Sequence, residues 1–350
     1  MRKIAIFQSD LSVGGIQKSL INLLNRIDLK QVEVDLYLFD DHNFFKSKLP
    51  KEITVYYLKK YPFMNKFVYF DCLKRFTPRM RINKDYDMSI DFNGYWNECA
   101  LGALSVNAKK RVMWIHNDVA KKREEDPKYR MLWHFFKGKL KHYDEFVAVS
   151  SGVVDSFRLL SMIDDKKITV IPNYINAGEI LEKSHEPIDF NVDPEKFNLV
   201  TMGRLNRQKG FDILIDHMTE VVKTRRDIRL YLIGDGPEKE ALRKQIDENA
   251  LAEYVTLLGS LANPFPYLKQ MDGFALTSRY EGQGMVIWEA KALGLQLFLT
   301  KNLEKYNENI TGSEDIVHDI IAAEKREKKQ NLLIDYNEVI SQRLKNLMES

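Results

Sequence analysis

Gly273-Phe274-Ala275-Leu276-Thr277-Ser278-Arg279-Tyr280-Glu281-Gly282-Gln283-Gly284-Met285-Val286-Ile287-Trp288-Glu289-Ala290-Lys291-Ala292-Leu293-Gly294 is the stretch on which the reading of this chain turns. The apolar run Gly273–Leu276 predicts a strand, and the glycines that follow open a helix over Gly284–Leu293. A strand passing through a glycine turn into a helix is the building unit of parallel α/β sheets. The start of such a helix presents unpaired N–H groups and the positive end of the helix dipole, which suits a phosphate. Glu281 stands just before the helix. Glu289 follows eight residues on, about two turns along the same face. Two carboxylates so placed can hold one extended ligand at two points. The plainer reading is an ordinary strand-to-helix turn with Glu289 solvated.

Working outward, the same alternation fills the chain. Strands are predicted at Lys3–Phe7, Val32–Phe39, Thr54–Leu58, Met88–Phe92, Arg111–Ile115, Glu145–Val149 and Ile168–Ile171, with helical patterns between most of them. The second half repeats the scheme with strands at Phe197–Met202, Arg229–Ile233, Val255–Leu258 and Gln296–Leu299, and helices near Phe211–Lys223 and Pro237–Asn249. This predicts an α/β chain of two Rossmann-like halves. The expected divisions are 1–173, a polar linker 174–196, a second domain 197–330, and a C-terminal helix 331–350. The charged tail from Glu314, including Glu324–Lys329, reads as helical.

A second candidate motif, Met202-Gly203-Arg204-Leu205-Asn206-Arg207-Gln208-Lys209-Gly210-Phe211, lies between a strand and a helix at the carboxyl end of a sheet. Arg204 offers a planar fork and Lys209 a compact charge, a pair suited to a diphosphate leaving group, although two solvated loop cations are the bland alternative. Leu232-Ile233-Gly234-Asp235-Gly236-Pro237 ends a strand and starts a helix. As a turn it is also an efficient connection in its own right.

At Glu281 and Glu289 the chain resembles a known family, the retaining GT-B glycosyltransferases of family 4. The match is the pair of glutamates separated by seven residues. The variant Glu-Gly-Gln at 281–283 resembles the branch that builds bacterial capsule and surface polysaccharides. The resemblance implies two Rossmann-like domains facing each other across a cleft, with the C-terminal helix crossing back to the first. It implies a nucleotide diphosphate sugar, most often of uridine, as donor, and a glycan or lipid-linked acceptor. It places Glu281 at the sugar, Glu289 on the ribose hydroxyls, and the amides of Gly284, Met285 and Val286 at the diphosphate. Arg204 and Lys209 match the family's diphosphate clamp. Gly234 matches its turn beside the nucleotide, and Gly259, in Leu258-Gly259-Ser260, its base pocket. In the first half, Ser12-Val13-Gly14-Gly15 resembles the glycine loop at the cleft floor. His116, at the end of the strand Arg111–Ile115, matches a histidine near the donor sugar. The chain departs from the family at Gly294-Leu295-Gln296-Leu297, where a Gly-x-Pro-Val is usual. It departs again at Lys301–Thr311, where a glycine pair and a glutamate are expected.

No cofactor or metal is expected. Asp85-Tyr86-Asp87 has the form of a metal-binding Asp-x-Asp but precedes its strand, at the wrong end of the sheet, and reads as solvated turn residues. No G-x-G-x-x-G follows the first strand, which argues against a dehydrogenase. Two cysteines do not make a disulfide framework, and no run approaches the ~20 apolar residues of a membrane span, so a cytoplasmic protein is expected. Residues 1–185 carry 31 Lys and Arg against 23 Asp and Glu, and the remainder 22 against 27. The segment Lys51–Asp85 mixes its basic residues with aromatics, Lys66, Lys74, Arg75 and Arg79 among Phe63, Phe67, Tyr69 and Phe76. That composition fits an anionic membrane surface, and equally a solvated helix with its apolar face in the core. No nucleic-acid partner is expected. Two alternatives to a transferase stay open here: a catalytically weak helper subunit of a glycosyltransferase pair, and a sugar-nucleotide epimerase.

Overall fold

The computed structural model describes residues 1–59, 70, 82–161 and 167–350. They divide into two compact units, residues 1–174 with 337–350, and residues 175–336.

The first unit is built on a parallel sheet of β1 (Arg2–Gln8), β2 (Val32–Leu38), β3 (Thr54–Tyr57), β4 (Asp85–Asp91), β5 (Asn107–Ile115), β6 (Glu145–Ala148) and β7 (Lys167–Val170), in the order β3-β2-β1-β4-β5-β6-β7. The order reverses between β1 and β4, which leaves a crevice at their carboxyl ends where ligands of open α/β sheets bind. Residues Ile4 to Gln8 are all buried, as expected of a strand covered on both faces. The helix Ile334–Glu349 completes this unit. Arg2 donates to the Met348 carbonyl (2.7 Å) near the helix end, and Arg343 to the Val170 carbonyl (3.2 Å).

The second unit has β8 (Phe197–Met202), β9 (Ile228–Ile233), β10 (Val255–Gly259), β11 (Gly273–Leu276) and β12 (Gln296–Leu299), all parallel, in the order β10-β9-β8-β11-β12. Its reversal falls between β8 and β11. The helix Phe211–Thr224 shows how the sequence forms this layer. Phe211, Leu214, Ile215, Met218 and Val221 recur at helical spacing and all are buried. Each such side chain contributes about 1.5–3 kcal/mol on burial. The opposite face is covered by the helices Ala177–Lys183, Phe265–Gln270 and Met285–Ala292.

The expected two Rossmann-like halves are thus present, with three local differences. The stretch 174–196, read as a linker, holds the helix Ala177–Lys183. Asn176 caps the start of this helix by accepting from the Glu179 N–H (3.2 Å), its Nδ2 also donates to the Glu179 carboxylate (3.3 Å), and Ile175, Ala177 and Ile180 enter the core. The run Glu324–Lys329 is not helical. Its lysines reach away to carbonyls instead of pairing along a helix: Lys325 donates to Pro194 (2.5 Å), and Lys328 to Lys269 (2.5 Å) and Met271 (3.1 Å). Asp85-Tyr86-Asp87 forms the first turn-free residues of β4 itself. Asp87 pairs with Lys109 at 2.7 Å, which holds its carboxyl below the usual range, at the amino end of the sheet.

Candidate active site

Both loops that leave the second unit's switch point carry the expected charges, and the structure joins them. Lys209, after β8, places its Nζ 2.7 Å from Oε1 of Glu281, after β11. The same oxygen accepts from Ser278 Oγ at 2.7 Å. Glu281 is buried and the Lys209 side chain is 18% exposed, so the attraction acts in a poorly screened setting. Arg204 lies on the same loop as Lys209 and its side chain is exposed.

Local chemistry explains why these loops hold still. Asn206 caps a short 3-10 turn at Arg207–Lys209 by accepting from the Lys209 N–H (3.2 Å). Gly210 follows with φ +62, and a Cβ there would lie 2.2 Å from the Thr277 carbonyl. Thr277 Oγ1 donates to the Gly210 carbonyl (2.7 Å), tying the end of β11 to the start of the helix Phe211–Thr224. Arg279 adds a two-pronged ion pair to Asp212, at 2.8 and 2.6 Å. Gly234 sits at φ +145 with room for no side chain, since a Cβ would lie 1.9 Å from the Gly203 carbonyl. Its turn therefore buttresses the Lys209 loop from behind, and its N–H donates to the Gly259 carbonyl (2.8 Å).

The helix Met285–Ala292 begins at Gly284 with no side-chain cap. Gly284 is buried, and Met285 and Val286 are partly exposed. The Met285 N–H donates to the Gln283 carbonyl at 2.9 Å, a bond that a phosphate would have to replace. Glu289 is buried rather than solvated, as is Trp288, which stacks on Tyr336 at 3.9 Å. The departing segment 301–311 proves to be a support. Its 3-10 turn Lys301–Tyr306 lets Asn302 donate to the Ser278 (2.9 Å) and Arg279 (3.2 Å) carbonyls, and Asn307 accepts from Trp288 Nε1 (3.1 Å).

In the first unit, the switch point carries a different chemistry. His116 follows β5, its ring packed on Phe92 (4.7 Å between centroids) and its Nε2 2.9 Å from the Phe92 carbonyl. Burial pushes its pKa down to about 3, so the ring is neutral. A carbonyl only accepts, so Nε2 carries the proton and Nδ1 is left as an acceptor. Gly14 and Gly15 open the helix Gly15–Leu24. A Cβ on Gly15 would meet open space, and one on Gly14 only the flexible Gln17 side chain. Asp10 organises that loop: burial alone would raise its pKa, but hydrogen bonds from Ser12, Ser9 and Gln17 lower it overall. Gln8, at the end of β1, and Asn93 Oδ1, just past β4, are buried polar groups without a hydrogen-bond partner among the described residues. Such groups call for a ligand or water.

Sequence reasoning missed the parts that brace these residues. Ser278 and Asn302 hold Glu281 and its loop. Below Asn93, Tyr143 donates to Asp91 (2.7 Å) and Lys139 to the Gly94 carbonyl (2.5 Å), all fully buried. Desolvation raises the Asp91 pKa to about 6, partly offset by Lys139. No local pattern marks Lys139, which lies in an ordinary basic stretch. Among the described residues, Asp40, Asp41 and His42 come within metal-ligand reach of one another, all away from buried surroundings, with His42 Nδ1 already 2.7 Å from Asp40.

Two parallel doubly wound units of this kind match the fold of GT-B glycosyltransferases. Residues 13–179 match the model for Glycosyltransferase Family 4, and residues 196–330 that for Glycosyl transferases group 1. The chain belongs to this glycosyltransferase family. A glycosyltransferase of Methanocaldococcus jannaschii is 27% identical over 201 residues, 55% of this chain and 48% of its own, so the chain matches about half the length of that relative. An N-acetylgalactosamine-N,N'-diacetylbacillosaminyl-diphospho-undecaprenol 4-alpha-N-acetylgalactosaminyltransferase of Campylobacter jejuni is 26% identical over 312 residues, 86% of this chain and 81% of the relative. S. aureus TarM, solved with UDP and alpha-GlcNAc-glycerol, shares the fold with a TM-score of 0.70 at 15% identity, over 100% of both chains.

Proposed function

We propose that the chain transfers a glycosyl group, with retention of configuration, from a nucleoside-diphosphate sugar to a glycan or lipid-linked acceptor in bacterial surface or capsular polysaccharide synthesis. The observation that carries this is the Lys209–Glu281 contact: loops 72 residues apart bring a cation and a carboxylate together where the second sheet reverses. As the bond from sugar to β-phosphate breaks, negative charge grows on the phosphate oxygens. Lys209 and Arg204 meet it, and the helix start at Gly284–Val286 adds backbone donors. Glu281 lies beside the departing sugar, and Glu289, further down the same helix, takes the ribose hydroxyls. His116 Nδ1 accepts from a sugar hydroxyl. The cations supply the charge that a metal provides elsewhere, so the reaction is metal-independent. UDP in the TarM structure supports uridine diphosphate as leaving group, and the alpha linkage and diphospho-undecaprenol in the Campylobacter relative's name support retention and a lipid-linked acceptor.

A lipid-linked acceptor places the chain at the cytoplasmic face of an anionic membrane. Most of the basic and aromatic segment expected there, including Lys66, Lys74, Arg75 and Arg79, lies outside the described residues. Phe44, 61% exposed beside the exposed Lys46, supports the same surface. No described helix is long and apolar enough to cross a membrane.

The test is a thermal-shift panel of nucleotide sugars, since a ligand that binds only the folded state raises its stability by mass action, followed by product analysis with lipid-linked acceptors. A stabilising donor and an α-linked product are expected. Rearrangement of the donor without an acceptor would instead make the chain an epimerase, and donor binding without turnover a helper subunit. Co-sedimentation with phosphatidylglycerol vesicles at low salt tests the membrane site, and loss of binding at high salt is expected.

A further inference from the structure

The Lys209–Glu281 pair closes on itself: the cation assigned to the diphosphate is already neutralised by the carboxylate assigned to the sugar. Glu281 is held there by Ser278, and its side chain is 6% exposed. We infer that Glu281 is an internal competitor for Lys209, and so discriminates a nucleotide that still carries its sugar from the spent nucleoside diphosphate. The inference rests on the reading above, in which the diphosphate meets the Lys209 loop.

A diphosphate that takes Lys209 strips Glu281 of its cation. Leaving a nearly buried carboxylate uncompensated is costly. An intact donor replaces what is lost, because the hydroxyls of its sugar donate hydrogen bonds to the carboxylate. The spent nucleotide has no such donors at that end. It brings further negative charge toward Glu281, and the carboxylate regains Lys209 as the diphosphate leaves. The pair therefore costs the product more than the donor, and transfer of the sugar itself triggers release. Ser278 sharpens the effect by keeping Glu281 from swinging away into solvent.

Binding of UDP, GDP and inorganic pyrophosphate to the wild type, Glu281→Gln and Lys209→Met tests this by calorimetry. Glu281→Gln keeps the shape and the Ser278 contact but removes the competing charge. It should bind whichever nucleotide the wild type binds about five- to tenfold more tightly, because no ion pair has to be broken first. Pyrophosphate should gain by a similar factor, because the competition concerns phosphate and not the base. Lys209→Met should weaken all three. If Glu281→Gln folds poorly, Glu281→Ala must show the same gain. Equal or weaker nucleotide binding by the Gln and Ala variants, with weakening by Lys209→Met, overturns the competitor role and leaves the transferase reading intact. A wild type that binds neither nucleotide, and no other nucleoside diphosphate, overturns both.

Discussion

The two switch points of this molecule share a backbone plan and differ in charge. After β8 and β11 the loops carry Arg204, Lys209 and Glu281, with the last two in direct contact. After β1, β4 and β5 the loops present Gly15, Asn93 and a neutral His116, and their carboxylates are absorbed locally, Asp10 by its own loop and Asp118 by the Lys121 N–H and Ser156. A polyanion that must leave calls for cations already in place. A neutral hydroxyl calls for room, acceptors and a dry wall. Under the proposed function one fold does two jobs by changing what its loops carry, while the sheets beneath stay alike.

Breaking the charged switch point should do the most damage. Glu281→Gln should reduce transfer by about 10³-fold or more, with near-native far-UV circular dichroism, measured at saturating donor. Wild-type turnover in this variant would remove Glu281 from the reaction. Lys209→Met and Arg204→Ala should each lower kcat by about 10²-fold, with less effect on binding of the bare nucleoside. On the neutral side, His116→Gln keeps a donor for the Phe92 carbonyl but loses the ring acceptor. A roughly tenfold fall in kcat/KM for the sugar donor is expected. The same variant sharpens the electrostatic contrast. His116 is lowered to about 3 in the folded chain against about 6.5 unfolded, so the unfolded chain binds the extra proton. The stability this group contributes is complete above pH 6.5 and is lost as pH falls toward 3. Urea melts of His116→Gln should therefore show a shallower loss across that window. The smallest effect is expected from EDTA, which should leave initial rates unchanged. Loss of activity restored by a divalent ion would show that Arg204 and Lys209 do not suffice.

The strands were legible because apolar runs bounded by turn residues are a local signal, and the charged loops because Glu281, Glu289, Arg204 and Lys209 stand at fixed offsets from those strands. What escaped was set by distant contacts. The helix Ala177–Lys183 carries its start signal in Asn176 and Glu179, yet the polar composition around it masked it. Glu324–Lys329 has helix-forming residues, but Lys325 and Lys328 find carbonyls more than fifty positions away. Nothing near residue 139 tells that its ammonium is buried against Gly94. Likewise, that segment 301–311 braces Ser278 follows from where Asn302 lands, not from its identity.

The return of residues 337–350 to the first unit has a consequence for synthesis. Residues 1–174 emerge from the ribosome first, yet their unit is finished only when the final helix arrives to place Ile340, Leu344 and Leu347 in its core. The second unit, continuous from 175 to 336, can close while its predecessor still lacks a wall. Until that helix is in place, the first unit exposes the apolar surface it covers, including Leu23 and Ile27 beside Leu344.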